Sequence, residues 1–197
     1  GICGSSGSCY ATHGPGCNDV SCCNVVCVFD SFCCSSNWDS ICVNEANNFC
    51  EPPVIHGPVV NPATKHRYYV LDKGEWSQAE RAAMALGGHL AVPNTPAENL
   101  WIKLNMRNGF AGVTDAFIGV SDQAIEGTFV AVTHEAIATS WAPGEPNNSG
   151  SGEDFTTMLA DGNWNDLDRY ITQMAIIEIP CIGDLDGSGT VDASDLA

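Results

Sequence analysis

No lysine or arginine occurs before Lys65, and the 197-residue chain carries only 7 basic residues against 24 acidic ones, a formal net charge of −17. Nucleic acid and anionic membranes both require basic patches, so neither is expected as a partner. Divalent cations suit such a surface better. No apolar run approaches the roughly 20 residues that a membrane-spanning helix needs, and no signal peptide opens the chain. The expectation is a secreted product from which a leader has been removed. Catalytic signatures are missing too: there is no Gly-x-Ser-x-Gly elbow, phosphate loop or zinc-protease helix, and His13, His56, His66, His89 and His134 are scattered. The neighbouring acids Glu153 and Asp154 could suggest glycoside hydrolysis, but they serve better as metal ligands than as an acid and a nucleophile across a cleft. An enzyme is not expected.

Cysteine is almost absent from the last three quarters of the chain and concentrated at its start. Ten of the eleven lie in the first 50 residues, at Cys3, Cys9, Cys17, Cys22, Cys23, Cys27, Cys33, Cys34, Cys42 and Cys50. That density, with few large aliphatic side chains, marks a module held by disulfides in an oxidising compartment. The rival, a thiolate metal cluster, normally shows Cys pairs at regular short spacing with His, whereas here two Cys-Cys doublets sit among irregular gaps. Asp19, Asp30 and Asn37 are placed to cap short helices, the last carrying Trp38, Ile41, Cys42 and Ala46 inward. Cys181 makes the total odd, so one thiol is free, joined to another chain, or part of a set that crosses domains.

Glu51-Pro52-Pro53 and Gly57-Pro58 punctuate a boundary, after which ordinary globular sequence begins. The reading divides the chain into a cysteine module (1–51), a second domain (52–181) and an acidic tail segment (182–197). In the second domain Trp76, Ala79, Ala82, Ala83 and Leu86 share a helical face, Ser77 to Glu80 offers a capping box, and Gly87-Gly88 stops the helix. A second helix is predicted from Thr95 as cap and Pro96 in the first turn, with Glu98 closing the box and Leu100 and Leu104 pointing inward. Strands are predicted at 68–71, 116–120, 127–132, 155–159 and 173–179. The fold class is α+β, two helices against small antiparallel sheets.

Between Ser140 and Asn163 runs a stretch rich in Gly, Asn, Ser and Pro that could not order itself against its conformational entropy without ligands. Within and just after it stand Glu145-Pro146-Asn147, Glu153 and Asn165-Asp166. These read as an oxygen cage for Ca²⁺, which takes roughly 6 to 8 oxygen ligands and can leave positions for an outside molecule. The segments Trp141 to Asn148, Gly152-Glu153-Asp154 and Trp164-Asn165-Asp166 resemble, in order and spacing, the long-loop and calcium signature of the C-type lectin-like domain. Trp76-Ser77-Gln78-Ala79-Glu80, Gly87-Gly88-His89-Leu90-Ala91 and Phe117-Ile118-Gly119-Val120 resemble that family's first helix, its exit and its central strand. The resemblance runs from about Asn61 to Pro180.

It implies a sugar-binding calcium site made of Glu145, Asn147, Glu153, Asn165 and Asp166, with a cis Pro146. It implies an auxiliary calcium site of Asp122, Glu126, Asn148 and Asp154, four residues that could otherwise be solvated loop polars. The order Glu-Pro-Asn resembles the mannose-type signature, which implies a glycan with vicinal equatorial hydroxyls, as in mannose, glucose or N-acetylglucosamine, or suitably placed pairs in fucose. Asn147 and Asn165 would donate to the sugar while Glu145 and Glu153 accept. The family's two disulfides are absent: Ala83 with Ile177, and Phe155 with Arg169, stand at the corresponding positions. The segment Phe32 to Cys42 resembles cysteine-rich modules of large bacterial surface proteins, which implies location rather than chemistry.

Beyond Cys181, the run from Gly183 to Asp195 fits a 12-residue calcium loop with ligands Asp184, Asp186, Ser188, Thr190, Asp192 and Asp195. It resembles half of a dockerin; an acidic disordered tail is the other reading. Two functions are carried forward. One is a secreted bacterial lectin or adhesin, extracellular or on the cell surface, binding glycans through Ca²⁺. The other is a structural subunit of an extracellular filament, sheath or coat, a homo-oligomer or polymer in which the lectin-like fold serves assembly.

Overall fold

The computed structural model describes residues 3–4, 6–50, 54–113, 115–150 and 152–180. The chain forms two compact units, Gly1–Pro53 and Val54–Ala197. Cys181 and the proposed calcium loop from Asp184 to Asp195 lie outside the described residues.

Three short helices make the first unit: α1 (Val20–Phe29), α2 (Phe32–Ser35) and α3 (Ser40–Phe49). Asp19 caps α1 by accepting from the Cys22 amide at 2.8 Å. The expected cap of the last helix at Asn37 is displaced to Asp39, whose carboxylate accepts from the amides of Ile41 and Cys42. Trp38 consequently precedes the helix; it is buried with Cys42 and Ala46, while Ile41 faces solvent. Five disulfides, Cys3–Cys23, Cys9–Cys17, Cys22–Cys50, Cys27–Cys34 and Cys33–Cys42, use all ten cysteines of this unit. Their sulfurs and the Trp38 ring form most of its interior, and the indole N–H donates to the Cys9 carbonyl at 2.8 Å. Crosslinks of this kind each contribute about 2–4 kcal/mol, mainly by restricting the unfolded chain, which replaces the large core the segment lacks.

The second unit is a twisted sheet carrying two helices. Its strands are β1 (Val54–Val60), β2 (Arg67–Gly74), β3 (His89–Leu90), β4 (Ala116–Ser121), β5 (Val130–Ala131), β6 (Phe155–Met158), β7 (Trp164–Leu167) and β8 (Gln173–Ile179). They are ordered β1-β2-β8-β4-β6-β7, with β3 paired to β8 and β5 to β4. One pair, β4 with β8, is parallel, so the expected separate antiparallel sheets are joined at the centre. Only Val130 and Ala131 of the predicted 127–132 strand enter a ladder.

Helices α4 (Trp76–Ala85) and α5 (Pro96–Ile102) pack on this sheet. The capping box of α4 uses Glu75 and Gln78 rather than Ser77 and Glu80. Glu80 instead accepts from the Leu90 amide at 2.8 Å, tying the helix to β3. Trp76, Ala79, Ala82 and Ala83 are buried as expected, but Leu86 ends the helix and is exposed. In α5 the Thr95 hydroxyl accepts from the Glu98 amide at 3.1 Å. The Glu98 carboxyl does not return to Thr95; it accepts from the Asn94 amide at 3.1 Å and takes part in a buried network. That commitment sets the phase of the helix. Ile102 and Met106, four and eight residues on and continuing into a π-helical turn (Lys103–Arg107), are buried, and Leu100 and Leu104 are turned outward.

Two glycines let these layers touch. A Cβ on Gly88 would lie 2.1 Å from the Glu178 carbonyl oxygen, and one on Gly119 would lie 2.4 Å from that of Leu90. At positions where the resemblance implies a disulfide, Ala83 and Ile177 are both fully buried in one apolar cluster with Phe155, on which Trp76 stacks at 4.9 Å. Arg169, at the remaining position, pairs with Asp154 at 3.4 Å.

Candidate functional site

The β6–β7 hairpin presents the site. Its ladder sets Thr157 opposite Asn165 and Thr156 opposite Asp166. Trp164 anchors β7 in the core, its indole N–H donating to Asn99 at 2.9 Å. The segment that leads into the long loop is fastened to this same tryptophan. Trp164 donates its amide to the Ser140 carbonyl at 2.8 Å, and Ala142 donates to the Trp164 carbonyl at 2.9 Å. Phe129, Trp141 and Trp164 form an edge-on aromatic series, with centroids 4.6 and 5.6 Å apart, beneath the loop.

Asp166 is fully buried and organises the loop from below. One carboxylate oxygen accepts from the Asn147 amide at 3.1 Å and the other from the Asn148 amide at 2.9 Å. Glu145, joined to Pro146 by a cis peptide, accepts from the Asn147 side-chain amide at 2.5 Å. Further along, Glu153 accepts from the Ser149 amide at 2.8 Å, and its own amide donates to the Asn148 side-chain oxygen at 2.8 Å. Asn165 stands half-buried between Trp164 and Asp166 on β7. Loss of solvent pushes the Glu145 carboxyl above the usual carboxylate range, helped by hydrogen bonding and repulsion from Asp166 and by the charge of Glu153.

The structure therefore brings Glu145, Asn147, Glu153 and Asp166 into one hydrogen-bonded constellation and sets Asn165 beside it. A hard dication fits these residues: the donors are carboxylate and amide oxygens, and two acids already crowd within hydrogen-bonding reach of each other. Such crowding raises the energy of the ionised pair unless a cation or proton lies between them.

The four residues expected at an auxiliary site are arranged less uniformly. Asp122 is buried; one oxygen accepts from the Gly127 amide at 2.7 Å, and the other is buried without a partner. Burial raises its pKa, opposed by the Gly127 amide and reinforced by the charges of Glu126 and Asp154. That orphaned oxygen, with two acids acting on it, suits a cation. Asn148 already spends its oxygen on Glu153, however, and Asp154 is held by Arg169. The pin through Trp141 and Trp164 and the role of Arg169 escaped sequence reasoning, because both depend on a pairing partner distant in the chain. The Trp141 that opens the loop motif was the available signal for the first.

Compared with known proteins, residues 72–174 match the lectin C-type domain family, a little over half of the chain. The chain belongs to that family, whose domains are binders rather than enzymes. Residues 5–53 match a second family, described only as a domain of unknown function, DUF8252. Collectin-11 of Bos taurus is 33% identical over 119 residues, covering 58% of this chain and 44% of that protein. Collectin-11 of Danio rerio is 34% identical over 119 residues, covering 58% and 43%. The match thus spans less than half the length of these animal relatives. Among solved structures, the cow CD23 C-type carbohydrate-recognition domain, determined in the presence of a GlcNAc2Man3 oligosaccharide, aligns with TM-score 0.55 and 27% identity over 64% of this chain and 98% of that one. The carbohydrate-recognition domain of the human scavenger receptor C-type lectin aligns with TM-score 0.56 and 26% identity over the same shares.

Proposed function

We propose that the second unit binds a glycan through one Ca²⁺ held by Glu145, Asn147, Glu153, Asn165 and Asp166. The observation that carries this reading is the double acceptance by Asp166 of the Asn147 and Asn148 amides, which folds the loop so that Glu145, Asn147 and Glu153 converge above β7. Calcium supplies a Lewis-acidic centre on which sugar hydroxyls complete the oxygen shell. The residues do the discriminating. Asn147 and Asn165 offer N–H donors and Glu145 and Glu153 offer carboxylate acceptors, so each of two vicinal hydroxyls can both accept and donate. The Glu-Pro-Asn order supports equatorial pairs of the mannose, glucose and fucose type. The cow CD23 domain solved with a mannose-containing oligosaccharide lends support from outside the chain.

Glycan-array binding with calcium and with chelator tests the reading. Calcium-dependent retention of mannose-type glycans is expected; calcium-independent binding, or galactose preference, would overturn it. An auxiliary ion at Asp122, Glu126, Asn148 and Asp154 belongs to the same proposal, as does a calcium loop from Asp184 to Asp195. Isothermal titration distinguishes one, two or three calcium ions per chain.

The address proposed is extracellular, at a cell surface. The five disulfides of the first unit support an oxidising compartment. A bacterial surface protein is the source implied by that module's resemblance. Assembly into a filament or coat remains a second reading, favoured by Val28 and Phe32, which leave apolar side chains 82% and 48% exposed on the disulfide unit. Concentration-dependent oligomerisation in size-exclusion chromatography supports it, and a monomer at all concentrations sinks it.

A further inference from the structure

Four polar side chains meet in the core of the second unit, away from the loop. Tyr68 on β2 is fully buried, and its hydroxyl lies 2.7 Å from a carboxyl oxygen of Glu98 on α5 and 2.7 Å from one of Glu178 on β8. His66, just before β2, contacts that same Glu178 oxygen through Nδ1. The other oxygens of the two acids are used by the backbone: Asn94 donates to Glu98 at 3.1 Å and Val92 donates to Glu178 at 3.3 Å. His66, Glu98 and Glu178 are all buried.

Counting protons decides the state of this network. A phenol has one proton, yet two carboxyl oxygens sit at hydrogen-bonding distance from it. One of the two contacts must therefore run the other way, from a carboxylic acid to the phenol oxygen. Glu178 already accepts from Val92, and its shared oxygen faces the His66 ring. With a protonated Glu98 donating to Tyr68, Tyr68 donating to Glu178, and the Nδ1–H of His66 donating to Glu178, every one of these contacts carries one proton. The mirror arrangement, a protonated Glu178 donating to Tyr68 and Tyr68 donating to Glu98, fills the same contacts but sets the neutral acid against the His66 ring and leaves the carboxylate on Glu98, which the ring does not touch.

We propose that Glu98 is held as the neutral acid, and that this single proton is the catch fastening α5 and the 91–94 segment to strands β2 and β8. Burial, and then the charge of Glu178, raises the Glu98 pKa in the direction the proposal needs. The same surroundings push the Tyr68 phenol upward, which excludes phenolate as the alternative. The other groups nearby leave this count unchanged. His89 on β3 is the ladder partner of Glu178 but bonds the Leu90 carbonyl, Glu80 on α4 accepts from the Leu90 amide, and Arg67 alternates to the opposite face of β2 from Tyr68. A cavity of about 170 Å³ bounded by Thr64, Thr95, Trp101 and Glu98 lies on this side of the helix.

The sign of the pH effect follows. The folded chain holds the Glu98 proton more tightly than the unfolded chain does, so its stabilising effect is full below the ordinary carboxylate range and is lost as pH rises through the elevated folded value. Alkaline conditions place two carboxylates around one phenol and loosen α5 from the sheet. The catch does not rest on the glycan reading and would survive its failure.

Thermal unfolding of the full chain, followed by near-ultraviolet circular dichroism in saturating calcium from about pH 5 to about pH 9, tests it, with Glu98→Gln, Tyr68→Phe and Glu178→Gln as variants. Glutamine mimics the neutral acid: its N–H₂ donates to Tyr68 while its carbonyl accepts from Asn94. Glu98→Gln should hold the melting temperature within about 2 °C at neutral pH and flatten the alkaline fall, whereas Tyr68→Phe should lose about 5 °C or more throughout. A Glu98→Gln loss equal to that of Tyr68→Phe at neutral pH, or an unchanged alkaline slope, overturns the proposal. Infrared difference spectroscopy gives a second readout. The carbonyl stretch of a protonated carboxylic acid should be present in the wild type at neutral pH and vanish in Glu98→Gln. Its absence, or its removal by Glu178→Gln instead, also overturns the proposal.

Discussion

At the scale of single residues, the loop is governed by which atoms donate and which accept. Exchanging Glu145→Gln together with Asn147→Asp reverses donor and acceptor around one ion, and galactose-type ligands should gain on mannose-type ones by about tenfold in affinity ratio, about 1.4 kcal/mol. Calcium affinity, measured in parallel, should persist; retention of both calcium and the original sugar preference would show that the sugar sits elsewhere. Asp166→Ala removes a proposed ligand and also both acceptors that fold the Asn147 and Asn148 backbone. Charge-assisted bonds of this class are each worth about 1.5–3 kcal/mol. Calcium affinity should fall far beyond tenfold, and limited proteolysis should nick the chain between Ala142 and Asp154 even with calcium present. A loop equally protected in wild type and variant would contradict this. These five candidates were read from identity and spacing, and the structure brings Glu145, Asn147, Glu153 and Asp166 together with Asn165 beside them. Asp39 in place of Asn37, and Glu75 in place of Ser77, were not, because several capping residues compete within one turn and backbone geometry selects among them.

At the scale of elements, close approach matters more than propensity. Gly88 carries α4 past β8 with no room for a methyl group, since the obstructing atom is the Glu178 backbone oxygen at 2.1 Å. Gly88→Ala should destabilise the second unit by about 1–3 kcal/mol, read as a lower urea midpoint at unchanged slope. An unchanged midpoint would mean that the helix exit can slide. Sequence pattern located α4, α5 and the central strands. It missed β1, where His56, Gly57 and Pro58 interrupt any alternation, and it placed Leu100 and Leu104 inward. The helix is turned by Glu98, an acid that sequence reading spends on closing the Thr95 capping box and that folding commits to the core with Tyr68 and Glu178. Buried polar networks escape periodicity, because a glutamate in a helix reads as surface until its partners on distant strands are known.

At the scale of the molecule, one unit is secured by crosslinks and the other by apolar packing, so reducing agents should act on them unequally. Mass measured before and after reduction should differ by two hydrogens for each of five bridges in the first 50 residues. Free thiols there, or stoichiometric zinc on the native protein, would contradict the disulfide assignment. The second unit should keep its calcium affinity after reduction, since no disulfide occurs among its described residues. Its stability rests instead on the interleaving of α4 with Phe155 and Ile177. Trp141 lies half-buried at the foot of the ligand loop, edge-on to Trp164 and bridged to its backbone. That placement gives the protein an intrinsic optical reporter. Ordering of the loop should shift tryptophan emission on calcium addition, Trp141→Phe should abolish most of the change, and ligand occupancy could then be followed in real time without a label.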